Sequence, residues 1–143
     1  MQRTAKVVWD GELRSGKGTI DTGSKAITGL PVTFPARLED VSDVTSPEEL
    51  IAAAHATCFA MSLSNVLTTG GNPPERLEIS ATCALERTDS GLKIASMKLD
   101  VKGKVAGVDG AAFEAAAKKA EQSCPVSNAL RGNVEISVNA SLG

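Results

Sequence analysis

The sequence predicts an α+β fold in which antiparallel sheets surround one long buried central helix. Alternating apolar and polar segments, typical of half-buried strands, occur both before and after a long apolar stretch with helical character. The elements follow in the order strands, long helix, strands, helix, strand, which favours this class. The 143 residues suit one domain covering positions 1–143.

The first 30 or so residues read as two short strands joined by a tight turn. Lys6–Trp9 forms the first strand, Arg14–Gly18 the turn, and Thr19–Ile20 opens the second strand. The glycines lack the spacing of a phosphate-binding loop, so a hairpin is the better interpretation. A proline-containing connector covers residues 30–44.

The long helix begins at a clear start signal. Ser46 is placed as the N-cap, Pro47 as the first helical residue and Glu49 as the third residue of a capping box. The glycine pair Gly70–Gly71 ends the helix. Because the helix is apolar nearly all round, we expect it to be buried, and its alanines allow another helix to approach closely.

The remaining elements follow from periodicity and capping. Leu77–Arg87 alternates as a strand, and the next strand changes phase near Ala95–Ser96, which predicts a β-bulge. Asp109 can cap a second helix, which breaks or kinks at Cys124–Pro125 and continues as a short helical turn. A last strand carries Val134–Val138.

Composition and charge exclude several classes of function. A formal net charge of −2 without a basic stripe argues against nucleic-acid binding. One histidine and three cysteines without a CxxC pair argue against a zinc site. The N-terminus lacks an apolar signal-peptide core, and polar residues interrupt the long apolar segment, so we expect no membrane span. The cysteines then suggest a reducing, cytoplasmic compartment.

Two cysteines are the best candidates for chemistry. Cys58 lies in the alanine-rich helix, where a thiol in a dry core is normally inert, and Cys124 precedes Pro125 at a helix boundary. Backbone N–H groups at that boundary could stabilise a Cys124 thiolate. Such an arrangement would suit a peroxidatic and resolving pair, but periodicity alone does not separate this from a packing role for Cys58.

Two segments together resemble the OsmC/Ohr family of organic hydroperoxide peroxidases. These are Ser46–Phe59, whose histidine is closer to the OsmC branch, and Cys124–Ser127. The resemblance covers essentially the whole chain. At Ser46 the family often has asparagine, and both residues cap helices.

The resemblance implies an intimate, intertwined homodimer with its long helices packed centrally and its two active sites at the subunit interface. It implies that Cys58 is the peroxidatic cysteine, Cys124 the resolving cysteine, and Arg37 and Glu48 the other catalytic residues. It further implies an organic hydroperoxide as substrate and an external dithiol, of the dihydrolipoyl type, as reductant. No metal, flavin or haem cofactor is expected.

The residue types suit this chemistry. A thiolate at Cys58 would attack peroxide and become a sulfenic acid, which Cys124 would convert to a disulfide before over-oxidation. A buried thiolate needs a cation, and an arginine such as Arg37 stays charged. Glu48 would hold the guanidinium through paired hydrogen bonds.

Simpler roles stand beside these assignments. Arg37 could be a solvated loop residue, and Glu48 a first-turn acid favoured by the helix dipole. His55, three residues before Cys58, could act as a base, although a core or interface histidine is more common. Cys83 is expected to pack in a strand. The same cysteines could instead serve a redox sensor that does not turn over, or be inert in a structural dimer.

Overall fold

The computed structural model describes all residues, 1–143, and confirms the α+β class, with two three-stranded sheets and a long helix. The chain separates into two compact units, residues 1–50 and 51–143, which are described in turn. That the whole chain forms a single domain stays a prediction.

The first unit contains the predicted hairpin and one more strand. Strands β1 (Ala5–Asp10), β2 (Lys17–Thr22) and β3 (Leu30–Val32) form an antiparallel sheet in that order. Within the predicted connector, a 3₁₀ turn at Pro35–Arg37 follows β3. This turn carries the candidate arginine at its C-terminal end.

Helix α1 (Pro47–Thr69) starts at the predicted cap. The Ser46 hydroxyl accepts the backbone N–H of Glu49 at 3.2 Å, as expected. The Glu49 carboxylate accepts a hydrogen bond from the Thr45 hydroxyl at 2.7 Å, so only half of the capping box forms. Gly71 follows the helix with φ of +88°, a conformation that glycine adopts without strain.

Burial of α1 differs from the all-round burial that its composition predicts. His55, Phe59, Leu63 and Leu67 form a buried stripe at helical spacing, whereas Met61, which faces elsewhere, is 69% exposed. Within one chain the core covers one face only. By length and composition the helix could also cross a membrane, a weak indication because core helices pass the same test.

The second sheet is built from β4 (Arg76–Thr88) and β5 (Gly91–Lys104), which pair antiparallel. Ala84 pairs with Ser96 and Leu85 with Ile94, so Ala95 is the extra residue of a bulge. The phase change seen in the sequence is thereby confirmed.

The third strand corrects the expectation of purely antiparallel sheets. Strand β6 (Glu135–Leu142) pairs with β5 in parallel. Two helices, α2 (Gly110–Ser123) and α3 (Pro125–Leu130), lie between these strands in the chain. A connection of this length carries the chain back to the start of β5, which a parallel pair requires.

Helix α2 packs closely on this sheet. Asp109 accepts the Ala112 N–H at 2.8 Å, confirming the predicted cap. A Cβ atom added at Gly103 on β5 would lie 2.3 Å from the ring of the buried Phe113. The absence of a side chain at Gly103 therefore lets α2 approach, and the end of α2 brings Cys124 into the core.

Candidate active site

Cys58 and Cys124 come together although 66 positions separate them in the chain. Cys58 lies in the middle of α1, and Cys124 lies between α2 and α3. Their Sγ atoms are 3.1 Å apart, and both cysteines are reduced. The structure thus holds two thiols in direct hydrogen-bond contact.

The two thiols differ in exposure, in the opposite sense to the sequence interpretation. Cys124 is fully buried, whereas Cys58 is only partly buried. Cys58 packs at the edge of the core, next to the fully buried Phe59. The thiol in the dry core is therefore Cys124, and the one that solvent can reach is Cys58.

Several hydrogen-bond donors surround the Cys124 sulfur. As predicted it caps a helix, and its sulfur accepts the backbone N–H of Ser127 at 3.5 Å. Burial works to raise the pKa of the Cys124 thiol. Hydrogen bonds from the Ser127 N–H, from Cys58, from the Ser127 side chain and from the Val126 backbone outweigh burial and lower this pKa.

The pKa of Cys58 is shifted in the opposite direction, upward. Burial, followed by its hydrogen bond to Cys124, raises the pKa of Cys58, and a backbone hydrogen bond from Val126 offsets this only in part. By distance alone either sulfur could donate to the other. The donors around Cys124 favour Cys58 as the donor and Cys124 as the acceptor in this pair.

A buried histidine lies behind the cysteine pair. His55 is fully buried, and its Nε2 lies 2.7 Å from the hydroxyl of the fully buried Ser127. The other ring nitrogen, Nδ1, has no hydrogen-bond partner. Burial lowers the pKa of His55, and the charge of Glu121 opposes this only in part, so the ring is neutral at neutral pH.

Arg37 and Glu48 form an ion pair within the first unit. Arg37 Nε donates to Glu48 Oε1 at 2.8 Å, and the Glu48 side chain is the more buried partner. The paired hydrogen bonds expected from the sequence are absent, because Glu48 Oε2 is buried without a partner. A single bond holds the guanidinium through its Nε, which leaves its terminal nitrogens outside the pair.

Arg37 borders a cavity with largely apolar walls. The cavity has a volume of about 120 Å³, and its walls include Trp9, Leu13 and Phe34. Arg14 lies over the Phe34 ring, 5.9 Å from its centre. An apolar group of a small molecule could occupy this cavity beside the positive charge.

A family model described as OsmC-like protein matches residues 41–139, which include both cysteines and Glu48. The chain belongs to the OsmC-like family. It is 37% identical over 128 residues to peroxiredoxin OsmC of Escherichia coli, covering 90% of this chain and 89% of that protein. It is 34% identical to the organic hydroperoxide resistance protein OhrA of Bacillus subtilis, with coverage of 80% and 82%.

Solved structures of the OsmC-like family share the fold. OhrB of Bacillus subtilis matches with a TM-score of 0.76 and 28% identity, covering 96% of this chain and 98% of that one. An OsmC organic hydroperoxide resistance protein from Legionella pneumophila matches with a TM-score of 0.75 and 26% identity, covering 96% of both chains.

Sequence reasoning assigned no role to one residue of this OsmC-like site, Ser127. The signal was present: Ser127 is the third residue after Cys124, the position whose N–H bonds an N-cap side chain. Its contact with His55 has no such signal, because 72 positions separate the two residues. Cys83 lies on β4 opposite Met97, and its packing role stays a prediction.

Proposed function

We propose that this protein is a thiol-dependent peroxidase that reduces organic hydroperoxides to alcohols, with Cys58 and Cys124 as its redox pair. The observation that carries the proposal is the 3.1 Å separation of the two sulfurs. A disulfide bond is about 2.05 Å long, so a shift of about 1 Å would join them. Relatives named as a peroxiredoxin and as hydroperoxide resistance proteins support a role in defence against peroxides.

In the first step the pair carries one proton. When this proton lies on Cys124, Cys58 is a thiolate and attacks the distal peroxide oxygen. The O–O bond breaks, and the departing alkoxide takes the Cys124 proton and leaves as an alcohol. Cys58 is now a sulfenic acid and Cys124 a thiolate.

In the second step the Cys124 thiolate attacks the Cys58 sulfur. An S–S bond forms, the S–O bond breaks, and hydroxide leaves to become water with a proton from solvent. An external dithiol, for which we propose a dihydrolipoyl-type group, then restores both thiols by exchange. The two oxidation steps use only cysteine sulfur and peroxide, without metal, flavin or haem.

Arg37 is the candidate for a positive charge that would stabilise the Cys58 thiolate. Because burial raises the pKa of Cys58, a positive charge near its sulfur would favour the thiolate. We assign this charge to Arg37, with Glu48 holding the guanidinium. The terminal nitrogens of Arg37 would then bind the peroxide oxygens.

The open face of α1 supports a homodimer. Met61 is 69% exposed on a helix whose other face is in the core, and the small Ala53 and Ala54 are exposed as well. We propose that a second copy of the chain covers this face, with the two active sites at the interface and the protein in the cytoplasm. Sedimentation should show a dimer for the wild type and dissociation for Met61→Lys.

Steady-state consumption of cumene hydroperoxide with dihydrolipoamide tests the function. We expect turnover by the wild type and by Cys83→Ala, the matched control, and none by folded Cys58→Ser. Serine is nearly isosteric, but its hydroxyl is not ionised at neutral pH. Substantial turnover by Cys58→Ser would exclude Cys58 as the nucleophile. Oxidation of the wild type once, without turnover, would favour a redox sensor.

A further inference from the structure

His55 is the only histidine of the chain, and it is fully buried without a role in the two steps above. A buried imidazole is costly to desolvate unless its polar atoms are bonded. Only Nε2 has a partner, the hydroxyl of Ser127 at 2.7 Å. Ser127 in turn contacts Cys124, so a single residue separates His55 from the pair of sulfurs.

The hydrogen-bond pattern assigns the proton of the neutral ring to Nε2. With the proton on Nδ1, a buried N–H would lack any acceptor, an arrangement that proteins rarely contain. With the proton on Nε2, the ring donates to the Ser127 oxygen, and the Ser127 hydroxyl is turned to donate onward. The Cys124 sulfur accepts the backbone N–H of Ser127 at 3.5 Å, and interaction with the Ser127 side chain lowers the pKa of Cys124.

We propose that His55 is a positioning residue of the resolving step, which fixes the Ser127 hydroxyl as a donor to Cys124 and so primes Cys124 to attack oxidised Cys58. The inference rests on the proposed peroxidase function and deepens it. His55 donates a hydrogen bond in this arrangement and takes no proton from either cysteine. It is therefore not a catalytic base.

The proposal has opposite consequences for the two chemical steps. Donors at Cys124 favour the state in which the shared proton lies on Cys58, which holds back the first attack on peroxide. The same donors keep Cys124 ionised after that attack, which speeds disulfide formation. Losing them should therefore slow resolution without slowing the oxidation of Cys58.

The hydrogen-bonded series His55, Ser127 and Cys124 is called the relay below. Other ionisable groups lie close to it. Cys58 faces Cys124 from α1, and Glu121 of α2 acts on His55 through its charge. Glu121 is itself held in an ion pair by Arg131, which follows α3. Neither Glu121 nor Arg131 is among the groups that shift the pKa of Cys124, so an effect of the Ser127 and His55 variants on its titration can be assigned to Ser127.

The titration of Cys124 tests the relay without any peroxide. In a Cys58→Ser, Cys83→Ala background Cys124 is the only thiol, and ultraviolet absorbance reports its thiolate. Adding Ser127→Ala should raise the titration midpoint by about one pH unit, the effect of one hydrogen bond to a charged acceptor. His55→Leu should raise it as well, whereas His55→Gln, whose amide N–H can replace Nε2–H, should restore it. Unchanged midpoints in folded Ser127→Ala and His55→Leu would overturn the relay.

Single-turnover oxidation with one equivalent of peroxide, with all cysteines present, tests the link to the resolving step. In Ser127→Ala and His55→Leu we expect disulfide formation to slow about tenfold while Cys58 oxidation is not slowed, and sulfinic acid to accumulate. A shifted midpoint with unchanged disulfide formation would refute the priming role. A wild type whose Cys58 does not react with peroxide would refute the proposed function instead, whatever the titration shows.

Discussion

The Cys58 and Cys124 sulfurs are 3.1 Å apart but lie in unequal surroundings. Cys58 is partly exposed and its pKa is raised, first by burial, whereas Cys124 is fully buried and accepts hydrogen bonds that lower its pKa despite burial. This difference in exposure and pKa suits separate roles for the two thiols in the proposed reaction. In the proposed reaction, peroxide would reach the more exposed Cys58 sulfur, and Cys124 would then close the disulfide.

Replacing Cys124 with serine should separate the two steps. We expect one oxidation of Cys58 per chain, no intramolecular disulfide, and progress to sulfinic acid, because no adjacent thiol intercepts the sulfenic acid. Mass spectrometry after one equivalent of peroxide measures all three. An intramolecular disulfide in Cys124→Ser would mean that Cys83 resolves Cys58.

The cavity beside Arg37 predicts a preference for organic hydroperoxides over hydrogen peroxide. Burying about 60 Å² of an apolar substituent would contribute about 1.5 kcal/mol, roughly a tenfold gain in kcat/KM. Trp9, Leu13 and Phe34 line this cavity.

A cavity variant checks this preference. Leu13→Ala should lower kcat/KM for cumene hydroperoxide several-fold and leave hydrogen peroxide unaffected. Leu92→Ala removes an exposed leucine on β5 and serves as the control. Equal efficiency of the wild type with both peroxides would contradict an apolar substrate pocket.

Arg37 should do more than ionise Cys58. Complete ionisation raises the thiolate fraction of an ordinary cysteine only about 30-fold at neutral pH, equivalent to about 2 kcal/mol. We therefore expect the defect of Arg37→Ala to persist at high pH, where the thiol ionises unaided. Arg37→Lys should rescue poorly, because an ammonium lacks the planar fork that engages Glu48 and substrate together.

The measurement is the second-order rate of Cys58 oxidation against pH for the wild type and both Arg37 variants. Curves that stay parallel above the midpoint of the thiol would support a role in holding the peroxide. Rate curves that converge at high pH would show that Arg37 acts only through its positive charge.

His55 should make stability depend on pH. Burial lowers its pKa in the folded protein, with a partial opposing effect from Glu121, whereas in the unfolded chain the ordinary value is about 6.5. The unfolded state therefore binds a proton that the folded state does not, and stability is lost as pH falls below about 6.5. Urea midpoints from about pH 8 to about pH 5 should fall more steeply for the wild type than for His55→Gln. With no other histidine in the chain, parallel curves would show that His55 titrates alike in both states.

Several features of this protein are determined locally and were predictable from the sequence. The caps at Ser46 and Asp109, the bulge at Ala95 and the helix boundary at Cys124 depend on residues within a few positions of one another. Periodicity and side-chain chemistry report directly on such short-range geometry. The family motifs around Cys58 and Cys124 likewise identified the two thiols that the fold brings into contact.

Tertiary packing alone decided the rest, because it depends on residues that are far apart in the chain. The parallel pairing of β6, the open face of α1 and the burial of Cys124 rather than Cys58 all depend on which distant segments of the chain pack together. The His55–Ser127 hydrogen bond joins positions 72 residues apart. Periodicity shows which face of an element is apolar, but which partner covers that face is decided only when the chain folds.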